Sequence, residues 1–141
     1  MTKFKNVLIL GGPVANQWAF KLNDYLNPRW DIEIVEERKP DEDYFEWVQR
    51  GGLNIKGIVK GSQKYSGRVG LGFIGEGRHP SFRLRAKTLE VAGWSYCDTC
   101  VMGEAFRNGA DKGIYQTSCT SDIPPEVACP VDVSWTKIAD P

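Results

Sequence analysis

Asn6-Val7-Leu8-Ile9-Leu10-Gly11-Gly12-Pro13-Val14-Ala15-Asn16 is the stretch on which the fold reading turns. Residues 7–10 are wholly apolar, as a strand buried on both faces would be. Gly11-Gly12-Pro13 breaks the run. Val14, Trp18, Leu22 and Leu26 then recur every four residues, the spacing of one helix face. Pro13 suits the first turn of such a helix, where a missing N–H costs nothing, and Asn27-Pro28 stops it. The pattern predicts a strand over 5–11 and a helix over 14–26. Strand, glycine turn and helix together place a ligand site at the strand's C-terminal end, against the helix N-terminus.

Further along, residues 31–36 predict a second strand with Ile32 and Ile34 on one face. Residues 41–49 predict a short helix with an acidic first turn and an apolar side of Tyr44, Phe45, Trp47 and Val48. Gly51-Gly52 ends it, and residues 55–60 read as a third strand. The order β-α-β-α-β predicts an α/β fold built on a small, mainly parallel, Rossmann-like sheet. Residues 69–73 read as a glycine-rich strand and residues 81–93 as a helix with Phe82, Ala86 and Leu89 on one face. A short helix over 101–108 and strands over 114–117 and 131–135 complete the reading. All four cysteines, Pro124-Pro125 and Pro130 fall in residues 94–141, an irregular Cys-containing third of a single domain spanning 1–141.

With 141 residues, 41% hydrophobic and five Trp, the chain can build a core. Its formal net charge of zero argues against nucleic-acid binding through a basic surface. The charges are nonetheless segregated. Residues 31–46 are mostly acidic, whereas 56–87 carry eight Lys and Arg against Glu76 alone. This predicts either a cationic patch or two solvated faces that partly pair. No stretch approaches the roughly 20 apolar residues of a membrane span. Lys3 and Lys5 before residues 7–15 faintly imitate a signal peptide, but the strongly apolar part is only four residues. A cytoplasmic location is therefore expected.

Residues 11–16 sit where a dinucleotide fingerprint would, with Pro13 and Asn16 in place of its second and third glycines. Glu36 or Glu37 falls where a ribose-binding acid belongs. Residues 70–75 match G-x-G-x-x-G by letter but lack the leading apolar strand and following helix, so a glycine-rich strand is the better reading. Arg78, Arg83 and Arg85 could neutralise a phosphate or carboxylate. His79 is the only histidine, which excludes multi-histidine metal sites. Cys97 and Cys100 form a C-x-x-C that, with Cys119 and Cys129, could hold zinc tetrahedrally. Disulfides and buried thiols remain open beside it.

The opening, Gly11-Gly12 followed by Trp18, Leu22 and Leu26, loosely resembles the small α/β nucleoside deoxyribosyltransferases over roughly residues 1–30. The resemblance implies an α/β opening. That family's acidic catalytic pattern is not recognisable downstream, so no site residue is carried over.

The expected function is binding of an anionic small molecule, a nucleotide or another phosphate-bearing metabolite, with enzymatic action on it undecided. The ligand would lie over Gly11 and Gly12 beside Glu36, with Arg78, Arg83 and Arg85 as counter-charges. Zinc at Cys97, Cys100, Cys119 and Cys129 is compatible with this. The alternative is a non-catalytic homo-oligomer, a structural or interaction protein whose aromatic and glycine-rich segments form the interface. Neither membrane nor nucleic acid is an expected partner.

Overall fold

The apolar run does form a strand, β1 (Asn6–Leu10), but its partner overturns the expected topology. The computed structural model describes residues 6–78 and 87–141. Within them, β1 runs parallel to β7 (Lys87–Gly93), in register from Asn6 opposite Lys87 to Leu10 opposite Val91. The sequence pattern predicted a helix over 81–93. Its second half is this strand, and residues 81–86 lie outside the described residues.

From β7 the sheet continues antiparallel through β6 (Leu71–Arg78), β8 (Gly113–Thr117) and β9 (Trp135–Ala139), in the order β1-β7-β6-β8-β9. The two-residue β2 (Leu26–Asn27) pairs with the far end of β6. β3 (Arg29–Ile34), β4 (Leu53–Lys60) and β5 (Gln63–Ser66) form a separate antiparallel sheet. Among the described residues β1–β7 is the only parallel pairing. The molecule is a mixed, mostly antiparallel β fold, and neither mainly parallel α/β nor Rossmann-like.

The physical reason is helix length. A parallel crossover must carry the chain back along the whole preceding strand. α1 (Gln17–Lys21) has five residues and α2 (Tyr44–Gln49) six. At 1.5 Å per residue each spans under about 10 Å, whereas a six-residue strand such as β3 covers about 20 Å. α2 therefore lets β4 return antiparallel against β3. The four-residue period of 14–26 also misled. Leu22 and Leu26 are buried, but Val14 and Trp18 are 61% and 51% exposed, so the four do not share one buried face. Asn16 caps α1 by accepting from Trp18 N at 3.0 Å, and a 3-10 turn (Asn23–Tyr25) follows before β2.

The large sheet is covered on both faces. On one, Leu71, Phe73, Ala92 and Ile114 pack against Trp30 and Ile58 of the small sheet. On the other, Ile74, Val91 and Tyr115 pack under Met102 and Ala105 of α3 (Tyr96–Arg107). A Cβ at Gly72 would run into the Met102 side chain, so the alternating glycines of β6 admit a helix rather than a ligand at this point. α3 starts earlier than predicted because Ser95 and Asp98 form a capping box. Disulfides Cys97–Cys119 and Cys100–Cys129 then fasten the irregular segment 118–134 to α3. The acidic and basic segments partly pair across the small sheet, through Lys56–Glu33 at 3.0 Å and Lys64–Asp31 at 3.9 Å.

Candidate functional site: an aromatic cleft at the glycine turn

Because β1 and β7 are parallel neighbours, their C-terminal ends lie side by side. Each then turns into a helix, β1 through residues 11–15 and β7 through Trp94 and Ser95. At such adjacent C-terminal ends the diverging turns leave a crevice. Here it is a half-open cleft of about 850 Å³, floored by Gly11, Gly12 and Gly93 and walled by Trp30, Phe45 and Trp94. Val48, Leu53 and Ile55 close the side toward the small sheet. Gly11 takes φ +91°, a left-handed value that favours glycine. A Cβ at Gly12 would stand 3.1 Å from the Trp30 ring, so the turn can lie on the indole only without one.

The walls are held by specific bonds. Asn23, itself buried, donates from Nδ2 to Trp30 O and accepts from Trp30 N, both at 2.9 Å, and so fixes the backbone from which the indole projects. The Tyr44 hydroxyl donates to Pro13 O at 2.5 Å and ties α2 to the glycine turn. Burial pushes that phenol up to about 12, so it stays a donor across the physiological range. Trp47 Nε1 donates to Glu36 O at 2.7 Å and fixes the connection from β3 to α2.

The polar lining is sparse: Gln49, Ser95, Tyr96, Thr99 and Asp122. Asp122 is the one charged group among the described lining residues, and Oδ1 accepts from Cys97 N at 3.3 Å and Ile123 N at 2.8 Å. Its carboxylate thus occupies the N-terminus of α3, the place where a phosphate would otherwise gain most from the helix.

The residues singled out from sequence separate into three groups. Gly11 and Gly12 line the cleft. Glu36 is not among its lining. The Glu36 carboxylate is 2.6 Å from Arg50, which also clasps Glu42 at 2.5 Å. The Arg50 hydrogen bond holds the Glu42 carboxyl below its usual range. Arg78 ends β6 opposite Lys87, six residues along from the Gly72–Gly93 pair. That is about 20 Å from the glycine turn at strand spacing, at the other end of the sheet. Arg83, Arg85 and His79 lie outside the described residues.

The zinc expectation is overturned. Cys97, Cys100, Cys119 and Cys129 are all consumed in two disulfides. No group of three or more His, Cys, Asp or Glu among the described residues could hold a metal ion. The C-x-x-C places its cysteines on one side of α3, and each reaches a different point of the following loop. Disulfides persist in oxidising compartments, so the expectation of a cytoplasmic location finds no support here. Among the described residues no helix is long and apolar enough to cross a membrane.

Sequence reasoning missed Trp30, Asn23 and Glu90. Trp30 was one of five scattered Trp with no local mark of its role. Glu90 was assigned to a helix, where a Glu is unremarked. In β7 it faces the sandwich interior with Ala92, two residues on, and is fully buried.

The fold and cleft define a class: a disulfide-tied, two-sheet β protein with one helix layer and an apolar cleft at its parallel strand ends. No protein-family model, curated protein or solved structure matches the chain.

Proposed function

We propose that this protein binds an uncharged small organic ligand in the cleft over Gly11 and Gly12. The observation that carries the reading is the cleft's chemistry. It combines a ligand-sized volume of about 850 Å³ with aromatic walls, few polar groups and no Lys, Arg or His among the described lining residues. An anionic ligand would be desolvated there beside Asp122 without a described counter-charge, which is unfavourable. The support among the described residues therefore lies with a neutral ligand rather than a phosphate-bearing one.

The test is titration with Nile red, an uncharged apolar dye whose emission rises on leaving water. Saturable enhancement is expected. Phe45, 48% exposed, is a wall residue whose truncation leaves the core intact. Phe45→Ala should weaken binding roughly threefold to tenfold, in line with lost aromatic contact. Absence of saturable binding, or binding indifferent to Phe45→Ala, would remove the reading.

A further inference from the structure

Two polar side chains meet behind the inner wall of the cleft without a hydrogen bond of normal geometry. The Trp30 Nε1 and both carboxyl oxygens of Glu90 are sealed from solvent and unpartnered. Trp30 is 3% exposed and Glu90 0%. Nε1–H lies close enough to Glu90 to draw its acidity up slightly, though not in a bond of normal geometry. Burial dominates and pushes the carboxyl well above its usual range, which favours the neutral form, one that can both donate and accept.

Glu90 is not part of the cleft lining; it lies behind Trp30, the residue it shares an interaction with. Trp30 itself lines the cleft, and a Cβ placed on Gly12 would stand 3.7 Å from Nε1. Since Gly12 has no Cβ, its backbone lies against the indole on that side. The pair is held rather than loose: Asn23 clamps the Trp30 backbone, and Glu90 lies between Ile9 of β1 and Gly75 of β6. Buried polar groups in native proteins nearly always have partners, so an unpaired donor beside an unpaired carboxyl calls for one.

We propose that Trp30 Nε1–H and Glu90 are the polar recognition point of the cleft, and that its ligand is an uncharged ring compound bearing a hydroxyl group. This rests on the cleft reading above. A hydroxyl oxygen accepts from Nε1–H while its proton goes to a Glu90 oxygen, so one group satisfies both. A methyl group of the same size satisfies neither. The aromatic walls take the ring, and the absence of a described cation in the lining selects against ionised analogues.

The experiment compares para-cresol with toluene, which differ by that hydroxyl, by NMR titration of the full chain. Toluene reports on the cleft alone. Para-cresol should bind about tenfold more tightly, the usual worth of a buried hydrogen bond that would otherwise be missing, and should shift the Trp30 Nε1–H signal. Glu90→Met and Trp30→Phe should each bring the two compounds within about twofold of one another. Glu90→Gln, which keeps a donor and an acceptor, should retain the preference. Equal binding of the two compounds to the unaltered protein overturns the proposal but leaves the cleft reading standing. A preference that persists in both Glu90→Met and Trp30→Phe overturns it as well. Failure of both compounds to perturb any cleft residue overturns the proposal together with the cleft reading. Should Trp30→Phe not fold, the contrast between Glu90→Met and Glu90→Gln decides.

Discussion

Two carboxyl groups eight residues apart, Glu90 and Asp98, are both fully buried, and their surroundings are opposite. Asp98 sits where α3, β8 and the loop before β6 meet. It accepts from Gly70 N at 3.0 Å, from Ser95 N and Oγ at 3.1 and 2.7 Å, and from Thr117 Oγ1 at 2.5 Å. Glu90 sits between the two sheets and accepts no hydrogen bond of normal geometry. The Asp98 region is also the one that both disulfides cross-link. Burial by itself thus says little about a carboxylate's role. A buried acid with every lone pair engaged is a structural joint, whereas one without partners is a liability unless something else completes it.

The contrast breaks most sharply if Asp98 proves dispensable. Asp98→Ala leaves the Gly70 amide and the Ser95 and Thr117 hydroxyls without their acceptor, and should destabilise the protein by about 3–5 kcal/mol in urea unfolding. Next in size is the cross-linked region itself. Cys100 and Cys129 are 29 residues apart in sequence. Replacing both by Ser should cost about 3 kcal/mol through the freed unfolded chain, seen as a lower melting temperature that added reductant does not lower further by way of this bridge.

Glu90 should respond with the opposite sign. Glu90→Met removes an unpartnered buried acid and should stabilise the protein by about 1–3 kcal/mol at pH 5. The gain should grow with pH. The folded carboxyl titrates well above the value of 4.5 that it has when exposed. Above pH 4.5 the unfolded chain releases this proton and the folded chain keeps it. The stability tied to Glu90 is therefore complete below 4.5 and is lost as pH rises toward the folded value. Relative to Glu90→Met the unaltered protein should lose at most about 1.4 kcal/mol per pH unit over that window. Urea titrations of both at pH 5, 6 and 7 check the slope, and parallel curves would show that Glu90 is ionised when folded. The smallest effect is expected at Arg50, which joins Glu36 and Glu42 at the surface. Arg50→Ala should leave the melting temperature nearly unchanged while amide exchange quickens in residues 36–43, because exposed pairs add little to global stability.

Local chemistry was legible where local burial decides it. Residues 7–10 do form a strand with a glycine turn at its end, but it is not buried on both faces: Leu8 and Leu10 are 49% and 57% exposed. A strand and the turn after it are set by neighbours in the chain, so the glycine turn was legible before the fold was known, and a cleft lies over it. The helix of 44–49 and the strand of 53–60 follow from the same short-range patterns. Residues 87–93 were misread because Phe82, Ala86 and Leu89 fit a helical period, whereas Thr88, Glu90 and Ala92 share a buried strand face.

The sequence by itself determined that β1 exists, that a glycine turn ends it, and that the four cysteines lie within residues 94–141, although two of them stand on a regular helix, α3, rather than in irregular chain. Only the tertiary structure decided that β1 pairs with a strand some 80 residues away, that the small sheet folds back antiparallel, and that the cysteines join as 97–119 and 100–129. It alone set Arg78 at the far end from the cleft, and Glu90 beneath Trp30. Hydrophobic period reports which face of a segment is covered, and that is a short-range property. Which distant segment covers it, and in which direction, depends on where the chain returns, and no residue in the covered segment encodes that alone.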